Sequence, residues 1–153
     1  MHEAYWRIRD LVLRESGLSD RDIALLVAAT AAARSDSYCA LAWGSRLAAQ
    51  ADAETAARVV GGSAADLDNR GTALVDWASC VAINPNSTTA ADIDRLREVG
   101  PTDRQIFGAT VFITLRMAFS TVNGALGAQP DLQLAQEAPA PVGAAVGYGR
   151  PPA

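Results

Sequence analysis

The sequence is poor in the side chains that most often carry metals or move protons: it has one histidine, two cysteines and 6% aromatic residues in 153 positions. The histidine is His2, at the chain end, so no internal imidazole is present for general acid–base catalysis or for a zinc site. Two cysteines do not make a disulfide framework. We therefore expect no metal and no cofactor, and Cys39 and Cys80 serve either packing or chemistry.

Clustered positive charge is also missing. The formal net charge is −4, the sequence pI is about 4.9, and the 13 basic residues are scattered along the chain. Because nucleic-acid binding needs clustered arginine and lysine, we expect no nucleic-acid partner. A secretory signal typically has a basic start followed by an apolar run, and the first ten residues lack this pattern. A cytoplasmic location is therefore the expectation.

A membrane partner is likewise not expected. The most apolar stretch covers residues 106–126, with Arg116 in its middle. A charge at that position costs about 2.5–3.5 kcal/mol on insertion scales. The stretch therefore predicts a buried core helix.

What the sequence does contain is alanine, a strong helix former, within a composition that is half hydrophobic. No alternating β-branched runs joined by hairpin turns occur, so the fold class is predicted to be all-α. The segment 22–33 is apolar nearly all round and should be buried on most sides. With the alanine-rich surfaces it predicts a homo-oligomer, whose mass in light scattering would be a multiple of 16.0 kDa. The predicted helix N-caps are Ser19, Ser35, Ser63, Thr89 and Thr102.

The composition changes after Pro130, which divides the chain into a helical domain over 1–130 and a C-terminal arm over 131–153. The last residues, APAPVGAAVGYGRPPA, are rich in proline, glycine and alanine, which do not continue a helix. This composition predicts either a disordered tail or an arm that lies along a neighbouring subunit through Val142, Val146 and Tyr148.

Two stretches carry a resemblance to a known family. They are LSDRDIALLVAATAAARSDSYCALAWGSRLA at 18–48 and PNSTTAADIDRLREVGPTDRQIFGATVFITLRMAFSTVNGALGAQPD at 85–131. In their order of helices, caps and glycines they resemble the carboxymuconolactone decarboxylase family, which includes the alkylhydroperoxidase D proteins. The resemblance implies an all-α, alkylhydroperoxidase D-like helical bundle that assembles as a trimer or hexamer and acts on a small molecule.

The catalytic motif of the peroxidase branch is mostly replaced. The family pattern is Cys-x-x-Cys-x-x-x-His, with a glutamate twelve residues before the first cysteine. Cys39 matches the second cysteine, whereas Asp36 stands at the first cysteine, Trp43 at the histidine and Ala24 at the glutamate. A dithiol route to peroxide reduction is therefore expected to be weak or absent.

Cys39 remains the candidate catalytic residue. With Ser35 as the N-cap, Cys39 lies near the first turn of a helix, where the helix dipole favours a thiolate. The negative charge of Asp36 opposes that effect. Trp43, one turn after Cys39, would cover the thiol, so a small buried cysteine under a tryptophan is the alternative interpretation.

The other predicted pocket residues are Tyr38, Arg46 and Arg116. A structural interpretation of Arg116 is an ion pair with a carboxylate such as Asp76, and a functional interpretation is an anchor for an acidic substrate. Cys80 is a candidate resolving thiol for Cys39, although nothing in their spacing requires it.

Three functions stay open at this point. The first is a thiol-dependent, peroxidase-type oxidoreductase that resembles alkylhydroperoxidase D and keeps only Cys39. The second is an acid–base decarboxylase or lactone-type enzyme, in which a carboxylate carries a proton and an arginine holds an acidic substrate. The third is a non-catalytic, oligomeric binding subunit.

Overall fold

The computed structural model describes residues 2–153, without the side chain of His2, so the expectation for that histidine lies outside the described side chains. Within this range the chain forms nine α-helices and one 3-10 turn, with no strand, which confirms the predicted all-α class. The elements are α1 (His2–Ser16), α2 (Asp20–Ala33), α3 (Ser37–Gln50), α4 (Ala53–Val60), α5 (Asn69–Ile83), the 3-10 turn (Pro85–Ser87), α6 (Ala90–Glu98), α7 (Asp103–Ala125), α8 (Leu132–Glu137) and α9 (Ala140–Ala145).

Helix α2 is the centre of the bundle. Ser19 and Asp22 form the predicted capping box at its start, and the helix then packs against α3, α4, α5 and α7. Leu25 and Leu26 are fully buried. Because one chain buries α2, its apolar sequence does not require a second subunit, and the homo-oligomer stays a prediction. Phe107, which is 73% exposed on α7, is the kind of apolar side chain that such an assembly would cover.

Helix α3 begins one residue later than the sequence suggests. Ser35 has a positive φ of 52° and the N-cap is Asp36, whose Oδ1 accepts a hydrogen bond from the backbone N–H of Cys39 at 3.0 Å. A larger shift occurs at α5, whose N-cap is Asp68, five residues after the predicted cap Ser63. In both places a carboxylate takes the capping role that the pattern assigned to a nearby serine.

Helix α7 begins at the predicted Thr102–Gln105 capping box and runs alongside α1. The two helices lie close together at Gly108, where an added methyl group would overlap Ser16. In the part of the chain that the structure describes, α7 is the one helix with the length and composition to cross a membrane. Its contacts with α1, α2 and α5 make it a helix of the bundle.

The C-terminal segment is folded on its own chain, unlike the predicted disordered tail, and the alternative of an arm on a neighbouring subunit stays a prediction. It forms α8 and α9, and α9 packs on α4 of the same chain. Pro141 lies in the first turn of α9, where proline needs no intrahelical N–H bond. Val142 is fully buried and packs directly against Gly44. This close packing is possible because Gly44 has no Cβ; an added Cβ would lie 2.7 Å from the Val142 Cγ1. This packing, which composition does not reveal, holds the segment on the bundle.

Residues 146–150 continue from α9 across the start of α3, and we call them the strap. The Tyr148 hydroxyl donates to the Val60 carbonyl at 2.7 Å, and the Ser37 hydroxyl donates to the Arg150 carbonyl at 2.7 Å. Gly149 has a φ of +75°, and a Cβ there would come within 2.7 Å of the Ser35 carbonyl oxygen. The strap therefore lies directly against the turn that presents Cys39.

Candidate functional site

A buried arginine contacts the candidate thiol. Cys39 is 2% exposed and Arg116 is 5% exposed, and the Arg116 Nη2 donates to the Cys39 Sγ at 3.0 Å. The Ser120 hydroxyl, one turn further along α7, lies 3.9 Å from the same sulfur. The first turn of α3 and the middle of α7 thus bring together a thiol, a guanidinium and a hydroxyl.

Two polar atoms of this site have no hydrogen-bond partner. Asp36 Oδ2 and Arg116 Nε are both buried and unpaired, although Asp36 Oδ1 and Arg116 Nη2 are used in the contacts above. A buried donor or acceptor without a partner costs about 1–3 kcal/mol. A carboxylate oxygen and a guanidinium N–H that stay unsatisfied on either side of a cysteine point to a site for a polar reactant.

Burial controls the protonation of Cys39. It raises the thiol pKa to about 11, the positive charge of Arg116 opposes this rise, and the carboxylate of Asp36 adds to it. The sequence predicts opposing effects of the helix terminus and of Asp36 on the thiol pKa, but the loss of solvent, which the sequence does not show, has the largest effect. The resting group at neutral pH is a thiol between a carboxylate and a guanidinium.

Reactivity of Cys39 should follow this pKa. In a Cys80→Ser background, we expect alkylation of Cys39 to accelerate about tenfold per pH unit between pH 7 and 10, because the thiolate fraction rises tenfold per unit below the pKa. Mass spectrometry after timed iodoacetamide labelling measures this rate. A plateau near pH 8 would contradict the assigned pKa.

The fold favours the protonated form of Cys39, because burial raises the pKa of its thiol to about 11. Ionisation of the thiol should therefore lower the free energy of unfolding as the pH rises from about 9 to 11.

Aromatic rings surround the guanidinium. The Arg116 Cζ lies 4.9 Å from the ring centre of Phe119 and 5.7 Å from that of Trp43. Tyr5 of α1 stacks on Phe119 at 5.6 Å and donates its hydroxyl to the Leu115 carbonyl at 3.0 Å. Phe119 is three residues after Arg116, so helical spacing alone could have identified it. Nothing in the sequence signals Tyr5, which comes from the other end of the chain.

Several sequence-predicted partners lie elsewhere. The predicted pair of Arg116 with Asp76 is wrong: Asp76 lies 3.6 Å from Arg95 instead, and Arg116 has no carboxylate partner among the described residues. Both cysteines are free, and Cys80 is exposed whereas Cys39 is buried. Cys80 lines a cleft with Asp76 and Arg95, and Cys39 is not part of that cleft. The structure therefore shows no contact between the two thiols among the described residues.

Two clefts flank the buried centre. The first, which we call the entrance cleft, has a volume of about 520 Å³ and includes Asp36, Tyr38 and Ser120. The second, of about 370 Å³, includes Ala24, Trp43 and Arg46, with the Arg46 Cζ 4.4 Å from the Trp43 ring centre. Ala24 and Trp43, at the family's glutamate and histidine positions, therefore line the second cleft, whereas Asp36 and Ser120 line the entrance cleft. The buried Cys39 and Arg116 line neither of the two.

Among the described residues, no group of three or more histidine, cysteine, aspartate or glutamate side chains is arranged to hold a metal ion. The chemistry that the site offers is that of a thiol, a carboxylate and a guanidinium. Together they can transfer a proton, attack as sulfur and bind a negatively charged oxygen.

Comparison with known proteins supports the fold. No protein-family model and no curated protein matches the sequence. Two solved structures are similar to this chain. One is the alkylhydroperoxidase AhpD core of an uncharacterized peroxidase-related protein from Ralstonia eutropha JMP134. The other is an uncharacterized peroxidase-related protein from Silicibacter sp. TM1040. Each superposes with a TM-score of 0.77 over 86% of this chain and 71% of the other, at 24% and 23% identity respectively. The chain therefore has the alkylhydroperoxidase D-like all-α fold.

Proposed function

We propose that the protein is a peroxidase-related thiol enzyme that reduces a small hydroperoxide with Cys39 as its only reacting cysteine. The observation that carries this proposal is the buried Arg116, which has no described carboxylate partner and donates to the Cys39 sulfur at 3.0 Å. A guanidinium in a dry site is suited to stabilise negative charge that develops during a reaction. The fold shared with peroxidase-related proteins supports the same conclusion, and we propose membership of that family.

The oxidation step uses the three groups in sequence. Asp36 accepts the thiol proton as the Cys39 sulfur attacks the terminal peroxide oxygen, so that an S–O bond forms and the O–O bond breaks. The proton then passes to the departing alkoxide, which Arg116 stabilises by hydrogen bonding. The products are an alcohol and a Cys39 sulfenic acid, in which the sulfur has lost two electrons.

The return step needs a second thiol from outside the chain. An external thiol condenses with the sulfenic acid to give a mixed disulfide and water. A second molecule of that thiol then releases Cys39 and leaves as its disulfide. This one-cysteine cycle agrees with the replacement of the family's other cysteine by Asp36. A thiol as the external reductant goes with a reducing compartment, so a cytoplasmic location remains part of the proposal.

Trapping of the sulfenic acid tests the proposal. We expect one equivalent of hydroperoxide with dimedone to give an adduct on Cys39 in the wild type and in Cys80→Ser, and none in Cys39→Ser. Intact-mass and peptide mass spectrometry identify the site. No adduct on Cys39 at any pH up to 10 would overturn the proposal. A separate assay of hydroperoxide turnover tests Cys80: loss of turnover in both variants would make Cys80 a resolving thiol.

The unpaired Asp36 Oδ2 and Arg116 Nε favour a second candidate, acid–base chemistry on a small carboxylate substrate. Arg116 would hold the carboxylate and Asp36 would carry the proton, without a change at sulfur. Under this alternative Cys39→Ser keeps turnover of an acidic lactone and Asp36→Asn loses it. If neither variant nor wild type turns over any substrate, the remaining proposal is a binding subunit.

A further inference from the structure

The chain supplies no second thiol near Cys39, so the external reductant must reach the Cys39 sulfur itself. Cys80 is exposed and belongs to a different cleft. The entrance cleft approaches the sulfur at Ser120, which lines the cleft and lies 3.9 Å from the Cys39 Sγ. Cys39 itself is buried and not part of the lining, so the reductant must displace the Ser120 side chain to reach it. Its volume of about 520 Å³ falls within the range of small-molecule sites.

The charges of this cleft define what it can hold. Among the described residues that line it, Arg34 and Arg150 are the cations and Asp36 is the anion. Arg34 is exposed and forms no ion pair with any described residue. Arg150 donates only to the Gly124 carbonyl, at 3.2 Å. The remaining polar lining consists of hydroxyl and amide side chains, namely Ser35, Ser37, Tyr38, Ser120, Thr121 and Asn123.

We propose that the entrance cleft binds the reductant, and that this reductant is a low-molecular-weight thiol carrying a carboxylate or phosphate group. Arg34 and Arg150 bind the anionic group while the thiol attacks the sulfenic sulfur of Cys39, expelling water and forming the mixed disulfide. The inference rests on the proposed function, because it concerns the second half of the same cycle. It assigns the strap a role in substrate specificity through Arg150.

The experiment isolates the return step. Cys80→Ser protein is oxidised with one equivalent of hydrogen peroxide, and the sulfenic acid is then reduced with 3-mercaptopropionate or with 2-mercaptoethanol. We expect the double variant Arg34→Ala/Arg150→Ala to lower the rate constant with 3-mercaptopropionate roughly fivefold to tenfold, since partly exposed ion pairs are modest. The rate constant with 2-mercaptoethanol should stay within about twofold, and 0.5 M salt should reduce the difference.

The variants are chosen to leave the fold intact. Arg150→Ala keeps the backbone carbonyl that accepts from Ser37, so the strap retains that bond. The double variant Arg7→Ala/Arg14→Ala is the matched control, because both are exposed arginines of α1 outside the cleft and their loss removes the same two charges. Equal slowing of both thiols, or the same loss in the control, would overturn the inference.

A binding measurement separates this inference from the proposed function. In Cys39→Ser, titration with 3-mercaptopropionate should shift the side-chain N–H resonances of Arg34 and Arg150 and leave that of Arg14 unchanged. If these shifts appear but no Cys39 sulfenic acid ever forms, the anion site stands and the peroxidase proposal fails. If the sulfenic acid forms but the resonances do not move, the assignment of the reductant site is wrong.

Discussion

Replacing Arg116 with methionine is expected to slow oxidation of Cys39 by hydrogen peroxide at least about 100-fold. The reason is that one preorganised donor to a developing negative oxygen contributes roughly 10²–10³ in rate, and Arg116 is the donor in contact with the sulfur. Methionine is shorter than arginine, but it keeps an unbranched apolar stem and has no polar atom that needs a partner. Because Arg116 has no described carboxylate partner, its replacement should leave the free energy of unfolding unchanged or raise it.

The rate is measured by quenched-flow trapping with dimedone, and stability by thermal melting of the same samples. Arg46→Met is the matched control: Arg46 lies 4.4 Å over the Trp43 ring and lines the other cleft. An Arg116 variant that melts much earlier but oxidises at the normal rate would make the arginine structural.

Replacing Trp43 with alanine should lower the free energy of unfolding by about 3 kcal/mol, the lower end of the range for truncating a large aromatic side chain. Trp43 is half-buried, packs on the hydrophobic core and lies beneath two guanidinium groups. Its loss should also admit water to Arg116 and Cys39 and lower the thiol pKa, so that alkylation at pH 8 becomes faster. Denaturant unfolding and timed labelling measure the two effects.

Trp43→Phe serves as the conservative control and should keep most of the stability. The role of Trp43 as the roof of a ligand site is measured separately, in a variant with Trp6 and Trp77 replaced by phenylalanine. Quenching of the remaining fluorescence by small aromatic or acidic compounds would assign a ligand to the second cleft. A large loss of stability without quenching would make Trp43 a packing residue.

Local signals in the sequence predict most of the helices but not the surroundings of the thiol. The capping boxes at Ser19, Thr89 and Thr102 are present as expected, because a cap depends on residues three positions apart. Arg116 meets Cys39 across 77 positions, and no spacing rule reports such a contact. Arg116 was predicted as a pocket residue only from its charge within an apolar helix, and the partner assigned to it, Asp76, was wrong.

The C-terminal segment shows the same limit from another direction. Its composition predicts either a disordered tail or an arm on a neighbouring subunit, yet the absence of a side chain at Gly44 provides the space that Val142 of the same chain fills. Gly44 and Val142 are nearly a hundred positions apart in the sequence, and their contact is recognised only in the folded structure. Composition therefore identified the change at Pro130 but not where the segment lies.

The unpaired guanidinium beside Cys39 has a consequence for overoxidation. A second molecule of peroxide would convert the sulfenic acid to a sulfinate, which is anionic at neutral pH and has two oxygens that accept hydrogen bonds. The site would then hold a salt bridge that the reduced protein lacks, with the Arg116 Nε available as one of its donors. Overoxidation of Cys39 would thus give Arg116 the anionic partner that it lacks among the described residues of the reduced protein.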